Sequence, residues 1–315
     1  MRQTCQRAGS GVFVVDTEHV RPQADASYLI VDSGRAAFVD TGTDLSVPHL
    51  FAALEDLEID AGHVDFIWLT HVHLDHAGGA GRLARLLPQA RVVVHPRGAA
   101  HLADPSKLVA ATKAVYGDAH FAAQFGDSLP IASERIVTVE DGQRLTLGNR
   151  TFEFLHTPGH ALHHVSIFDR DAGEVFTGDT FGVSYRECDT AAGEFVFPTT
   201  TPAQFDPAQL HASISRIEAL HPAAAYLTHF GRVGSIERLA AELHSDIDAF
   251  VRIAQDAASA QNRVREMRSR VYRHLSERLA AHGFGGGDEA RHAMLDGDVV
   301  LNTAGLDAWL TRIAN

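Results

Sequence analysis

The chain has 315 residues, 45% of them hydrophobic, and a formal charge of −13 with 20 histidines. That length buries a full core, and the excess of acid argues against nucleic acid or an anionic membrane surface as a partner, since both repel it at long range. Two cysteines, Cys5 and Cys188, leave no disulfide framework and no thiolate zinc site, which fits a reducing compartment.

The first residues contain only the four-residue apolar run Val12 to Val15, too short for a signal-peptide core. No later stretch approaches the ~18 apolar residues of a membrane span, so a cytoplasmic protein is expected. "GVFVVD", "SYLIVD" and "AAFVD" read as strands, "SVPHLFAALEDL" as an amphipathic helix and "VDFIWLT" as a buried strand. "GAGRLARLLP" predicts a helix closed by Pro88, "ARVVVH" a strand, and "DPSKLVAATKAVYG" a helix with Asp104 as N-cap and Pro105 in the first helical position. Strands resume at "RIVTV", "RLTLG", "RTFEFLH", "HHVSIFD" and "GEVFTGD". A weak echo links "AAFVDTGTD" with "EVFTGDTFG", each a strand running into Asp, Gly and Thr, as two similar halves would. From Ser235 to about His282 the chain is rich in Ala, Leu, Arg and Glu with helical periodicity, and "GFGGGDE" breaks it before a short tail. The pattern predicts a layered α/β domain over residues 1–234 and a helical appendage over 235–315, suited to a lid, a substrate-binding element or a homodimer surface.

The chemistry concentrates in "THVHLDHAGG", where His71, His73, Asp75 and His76 fall within six positions. A shuffled chain of this composition carries H-x-H-x-D-H in under about one per cent of cases. A continued strand cannot converge four such side chains; a loop leading into a helix near Gly78 to Leu83 can. Imidazole and carboxylate without sulfur suit zinc, iron, manganese or cobalt. His160 in "HTPGHALHH", Asp179 in "VFTGDT" and His229 in "AYLTHFG" share one grammar: apolar strand, small turn residue, ligand. Asp40 in "VDTGT" reads either as an acceptor orienting a ligand histidine or as an Asx-turn closing a strand. His163 and His164, read as adjacent strand residues, face opposite ways, so at most one turns to the site. His95 and His156 also end strands and read as pocket lining.

These residues resemble the metallo-β-lactamase superfamily, whose pattern is H-x-H-x-D-H followed by His, Asp and His from later strands; the likeness spans roughly residues 10–232. It implies a four-layered αββα sandwich with two divalent metal ions at one edge of the sheets, zinc foremost and iron or manganese as alternatives. Carried over by resemblance, His71, His73 and His160 hold the first ion, Asp75, His76 and His229 the second, and Asp179 bridges them. Asp179 stands where many true β-lactamases have Cys, and His76 is a ligand many of them lack, so antibiotic hydrolysis is not expected. The flavodiiron reductases are similar in spacing but carry Glu at the position of His73 and a flavodoxin domain that has no counterpart here. The nearest likeness is to glyoxalase II-like hydrolases, through "HLDHAGGAG" and "VHPRGAAHLADPSKL". Glyoxalase II hydrolyses glutathione thioesters and has a C-terminal helical domain; its glutathione-contacting basic residues have no assignable match in this chain.

Without a Ser or Cys nucleophile beside a base, the nucleophile falls to solvent. The expected mechanism is a metal-bridging hydroxide cleaving a small ester-like substrate, whether thioester, lactone or ester, with a phosphoester open to the same attack. By resemblance Asp75 ligates the second ion and relays a proton to the leaving group. Tyr185, six residues after Asp179, is the candidate donor to an acyl oxygen. Two long connections, Pro96 to Ile131 with Tyr116, Phe121 and Phe125, and Thr180 to Pro207 with Tyr185, Phe195 and Phe197, either shape the substrate site or pack beneath their loops as satellite core. The alternatives are a di-iron or mono-iron oxidoreductase handling oxygen, nitric oxide or a persulfide, and a non-catalytic metal or oxygen sensor whose helical appendage docks a partner.

Overall fold

Alternation along the first strands decides what each face buries. In the computed structural model, which describes residues 5–200 and 204–314, seven strands form one sheet in chain order: β1 (Cys5–Gly9), β2 (Val12–Asp16), β3 (Ala26–Asp32), β4 (Arg35–Val39), β5 (Val64–Trp68), β6 (Arg91–Val94) and β7 (Ile136–Thr138). β1 to β4 run antiparallel and β4 to β7 parallel. The second sheet holds β8 (Gln143–Leu147), β9 (Arg150–His156), β10 (Val165–Asp169), β11 (Glu174–Phe176), β12 (Ala224–Leu227) and β13 (Gly231–Val233), in the order β13-β12-β11-β10-β9-β8. β11 and β12 pair parallel.

The chain divides into two compact units. The first takes the residues up to His156, then His163–Gly178 and Ala223–Arg232; the second takes Thr157–Leu162, Asp179–Pro222 and the chain from Val233 onward. In the first unit Tyr28, Ile30, Val39 and Trp68 meet Phe152, Phe154, Ile167 and Phe176 between the sheets, with the Trp68 and Phe152 rings 4.7 Å apart. The intervening residues Leu29, Phe38, Ile67 and Val92 face the other way, onto Val47, Leu50, Leu54 and Leu83. Burying each such side chain is worth about 1.5–3 kcal/mol, so one slip of register would forfeit several at once.

The outer layer of this unit comes from α1 (Val47–Asp56), α2 (Leu74–Ala77), α3 (Ala80–Leu86), α4 (Pro96–Ala103), α5 (Ser106–Tyr116) and α6 (Asp118–Gln124). α1 and α3 lie where their periodicity predicts. Asp104 and Pro105 both precede α5, and the Asp104 carboxylate accepts the Ser106 N–H at 3.1 Å. Ahead of α3, a further one-turn helix, α2, opens inside the histidine motif where a loop was expected, with the His73 carbonyl accepting from the His76 and Ala77 N–H groups.

The second unit contains α7 (Pro207–Glu218), α8 (Ile236–Ala257), α9 (Arg263–Ala281) and α10 (Asp288–Ile313). α10 is 26 residues long and replaces the short tail expected after "GFGGGDE". Its buried stripe, Leu295, Val299, Asn302, Leu306, Trp309 and Leu310, is interrupted by polar and glycine positions, which hides its period in the sequence. Asp246 of α8 is fully buried. Burial pushes its carboxyl up, opposed by His274 and Arg278 of α9, which both donate to it. Among the described residues no helix is long and apolar enough to cross a membrane.

His95 and His156, expected as pocket lining, are structural. The His95 Nδ1 accepts the Arg97 N–H at 3.0 Å and so caps α4, while the His156 Nε2 donates to the Val139 carbonyl at 2.9 Å. Burial, with the neighbouring His156 ring and Arg97, lowers the His95 pKa to about 4. An unfolded histidine takes its proton near 6.5, so from pH 6.5 down through 4 the unfolded chain binds the extra proton and stability falls with pH. We expect a loss of up to about 3 kcal/mol across that window. His95→Asn keeps a capping oxygen and does not titrate, so its stability-versus-pH slope between 6.5 and 4 in urea melts should be shallower than the parent's; equal slopes would remove His95 from the account.

Candidate metal centre

The ligand-bearing residues of the first unit are held through one buried carboxylate. Asp40 follows β4 at φ +56°, a left-handed conformation that Asp tolerates better than most residues, and is fully buried. Its carboxylate accepts four donors: the Thr70 N–H at 2.8 Å, the Thr70 hydroxyl at 2.8 Å, the His76 Nδ1 at 2.8 Å and the Thr228 hydroxyl at 2.9 Å. Asp40 therefore orients the candidate ligand His76 rather than merely closing a turn.

These bonds fix which nitrogen of each ring carries the lone pair. His76 donates Nδ1–H to Asp40, which puts the lone pair on Nε2. His229 donates Nδ1–H to the Asp25 carboxylate at 2.5 Å, with the same result. Both Nε2 atoms stand 3.6 Å from the Asp75 Oδ2. The Thr70 hydroxyl gives its proton to Asp40, so it accepts from the His71 Nδ1 at 3.2 Å, and the His71 Nε2 in turn lies 2.9 Å from the His73 Nδ1.

Asp75, His76 and His229 thus aim three electron-pair donors at one point, with all three atoms within 4.8 Å of one another. Lone pairs facing lone pairs repel unless a cation lies between them. Ligands around tetrahedral zinc at 2.0–2.2 Å are about 3.3 Å apart, so these spacings and the all-nitrogen-and-oxygen donor set fit a divalent ion.

The second unit repeats this logic. His160 follows the Pro158-Gly159 turn, where Gly159 has φ +130° and any Cβ would lie 2.3 Å from the Leu210 nitrogen. The His160 Nδ1 donates to the Thr199 carbonyl at 3.3 Å, turning Nε2 to within 3.4 Å of the Asp179 Oδ2. In the first unit Gly178 has φ +47°, and a Cβ there would stand 2.6 Å from the His164 Nε2 and 2.7 Å from the Thr70 Cβ.

The expectation that at most one of His163 and His164 faces the site does not hold. Both rings lie near His71, at 6.1 and 5.0 Å between centroids, and His163 is 5.7 Å from His73. β10 begins only at Val165, so the two histidines sit in the preceding turn, where strand alternation does not apply. Tyr185 is nearly buried in the second unit and donates its hydroxyl to Asp298 of α10 at 3.2 Å. Phe195 and Phe197 are buried, and of the aromatics on the 96–131 connection only Tyr116 is exposed, at 38%.

Asp25, Thr70 and Thr228 escape a reading based on ligand spacing. The two threonines do leave a trace, because the triplet Leu-Thr-His occurs at Leu69–His71 and again at Leu227–His229, and both threonines serve Asp40. Asp25 leaves none: it is one acid ahead of a strand.

Residues 20–229 match the description of the metallo-beta-lactamase superfamily, and the chain belongs to that superfamily. It is 27% identical over 260 residues to a hydroxyacylglutathione hydrolase of Acidiphilium cryptum, covering 82% of this chain and 84% of the relative. It is 28% identical over 190 residues to the human acyl-coenzyme A thioesterase MBLAC2, covering 54% and 63%. A metallo-beta-lactamase family protein from Thermus thermophilus superposes with a TM-score of 0.68 at 20% identity, over 96% of this chain and 94% of that one. The fold is the α/β sandwich of that superfamily, with the helices α8 to α10 at the C-terminal end.

Outer-shell partners of ligand histidines typically change metal affinity 10–100-fold. Asp25→Ala should weaken metal binding by about that factor, read by competition with a chromophoric chelator. Unchanged affinity would show that His229 does not need Asp25 to present its Nε2.

Proposed function

We propose that the chain is a dinuclear metal-dependent hydrolase cleaving small ester-like substrates, thioesters foremost. The observation that carries this reading is the convergence of the Asp75 Oδ2 and the Nε2 atoms of His76 and His229, each imidazole oriented by its own carboxylate. His71 and His73, with His160 and Asp179 added from the superfamily pattern, complete the seven ligands for two ions, zinc foremost. When bound, two such ions acidify a water and polarise an acyl oxygen. The hydrolase and thioesterase names of the two relatives support attack on an acyl bond.

The chain's own residues do the rest. Asp40 and Asp25 hold the imidazoles in the tautomer that presents Nε2 and stabilise positive charge on the rings. Asp75 joins the ligand cluster while its side chain stays 28% exposed, so its carboxylate is placed to take a proton from the site and hand it to a departing thiolate or alkoxide. Tyr185 serves as the acyl-oxygen donor in this reading only by exchanging Asp298 for substrate.

Elemental analysis of protein purified without chelators should give two divalent ions per chain, and the loaded enzyme should hydrolyse members of a thioester, lactone and ester panel. Asp75→Asn should lower kcat at least about 100-fold with the metal content retained. Near-full activity of a loaded variant would end the relay role. Bound iron with oxygen-dependent spectra and no turnover anywhere on the panel would overturn the hydrolase reading. Tyr185→Phe should reduce kcat by about tenfold or more, and an unchanged rate would return Tyr185 to a packing role.

A further inference from the structure

Beside the ligand motif the first unit carries an aromatic cluster with an exposed apolar rim. Leu74, between the ligand candidates His73 and Asp75, is buried against Phe121 and Phe125. The Phe125 ring also contacts His19, centroids 5.1 Å apart, and the His19 Nε2 lies 4.0 Å from the Asp25 carboxylate that holds His229. One phenylalanine therefore packs on the motif loop on one side and reaches the His229 anchor through His19 on the other. The Phe125 carbonyl accepts the Asp44 N–H, which fixes the segment in place.

Around that ring two apolar side chains stay exposed, one of them with the His120 ring stacked on it at 5.4 Å between centroids. Tyr116 lies 5.5 Å from Phe125, between centroids, and is 38% exposed. Leu45 is 49% exposed, with its side chain against Gly126. Of the nearby charges, Arg82 pairs with Asp44, and Lys113 lies over Phe121 and pairs with Asp118, while Asp127 next to Gly126 is exposed. Large apolar side chains left in water beside a polar site mark where a ligand's own apolar part is covered.

We propose that Tyr116, seated on Phe125, and Leu45, against the adjoining Gly126, form the acyl-recognition surface, and that the substrate is an ester or thioester of a medium-length apolar acyl group rather than of a short polar hydroxy acid. The assignment rests on the hydrolase reading above and narrows its substrate class. Each methylene fully covered strengthens binding by up to about fourfold; a chain lying along an open rim gains part of that.

The test uses the metal-loaded full-length enzyme and N-acetylcysteamine thioesters from acetyl to octanoyl, which share one leaving group. We expect kcat/KM to rise at least tenfold from acetyl to octanoyl. In the Leu45→Ser/Tyr116→Ser double variant the octanoyl-to-acetyl ratio should fall at least fivefold, mainly through KM, and Leu45→Met/Tyr116→Phe should restore it. Both parent side chains are exposed, so thermal melts of the variants should match the parent. A flat chain-length series in the parent, or the same slope in the double variant, would overturn the proposal. Saturation-transfer NMR with 1-octanol reads the surface without turnover: transfer should be seen with the parent and fall in the serine variant, and equal transfer in both would also overturn it. If no thioester, lactone or ester is cleaved at any length, the hydrolase reading fails, and the octanol result then judges the surface alone.

Discussion

A single buried carboxylate organises the first unit's ligand cluster. Asp40 sits at the end of β4 and gathers Thr70 and His76 from the segment after β5 and Thr228 from the segment after β12. Strands from both sheets thus end on one acceptor. A carboxylate with no water contact is stable only if its lone pairs are filled, and here four donors fill them. Each donor precedes a candidate ligand or is one, so the requirement to satisfy Asp40 also fixes the positions of His71, His76 and His229. Its left-handed backbone is a local cost held in place by those bonds.

The electrostatic consequence follows from the tautomers. Giving Nδ1–H to carboxylates raises the basicity of the opposite nitrogen and fixes its direction. His76 and His229 each face Asp75 with a lone pair. Folding in this region brings together groups that favour a cation, and the hydrophobic packing between the sheets supplies the free energy to hold them there.

Much of this organisation is legible in the amino-acid sequence. Runs such as "VDFIWLT" and "RTFEFLH" carry their own strand signal, and H-x-H-x-D-H is dense enough to announce a metal site. The one-turn helix α2 is not legible, because four residues are too few to show a period. His163 and His164 defeat the alternation rule because a strand boundary one or two residues away decides whether it applies. α10 looks like a tail in the sequence because Gly297, Gly305 and the buried Asn302 and Thr303 interrupt its apolar stripe.

Composition and spacing alone determined the class of donor: imidazoles and carboxylates without sulfur, each after an apolar strand. They also determined the layered α/β organisation, because both depend on local order along the chain. Which nitrogen of His76 and His229 carries the lone pair, and that Asp40 and Asp25 set it, was decided by tertiary structure alone. Asp25 and His229 are 204 residues apart in the chain, and no local pattern can encode a hydrogen bond that exists only once the sheets have brought the ends of distant strands together.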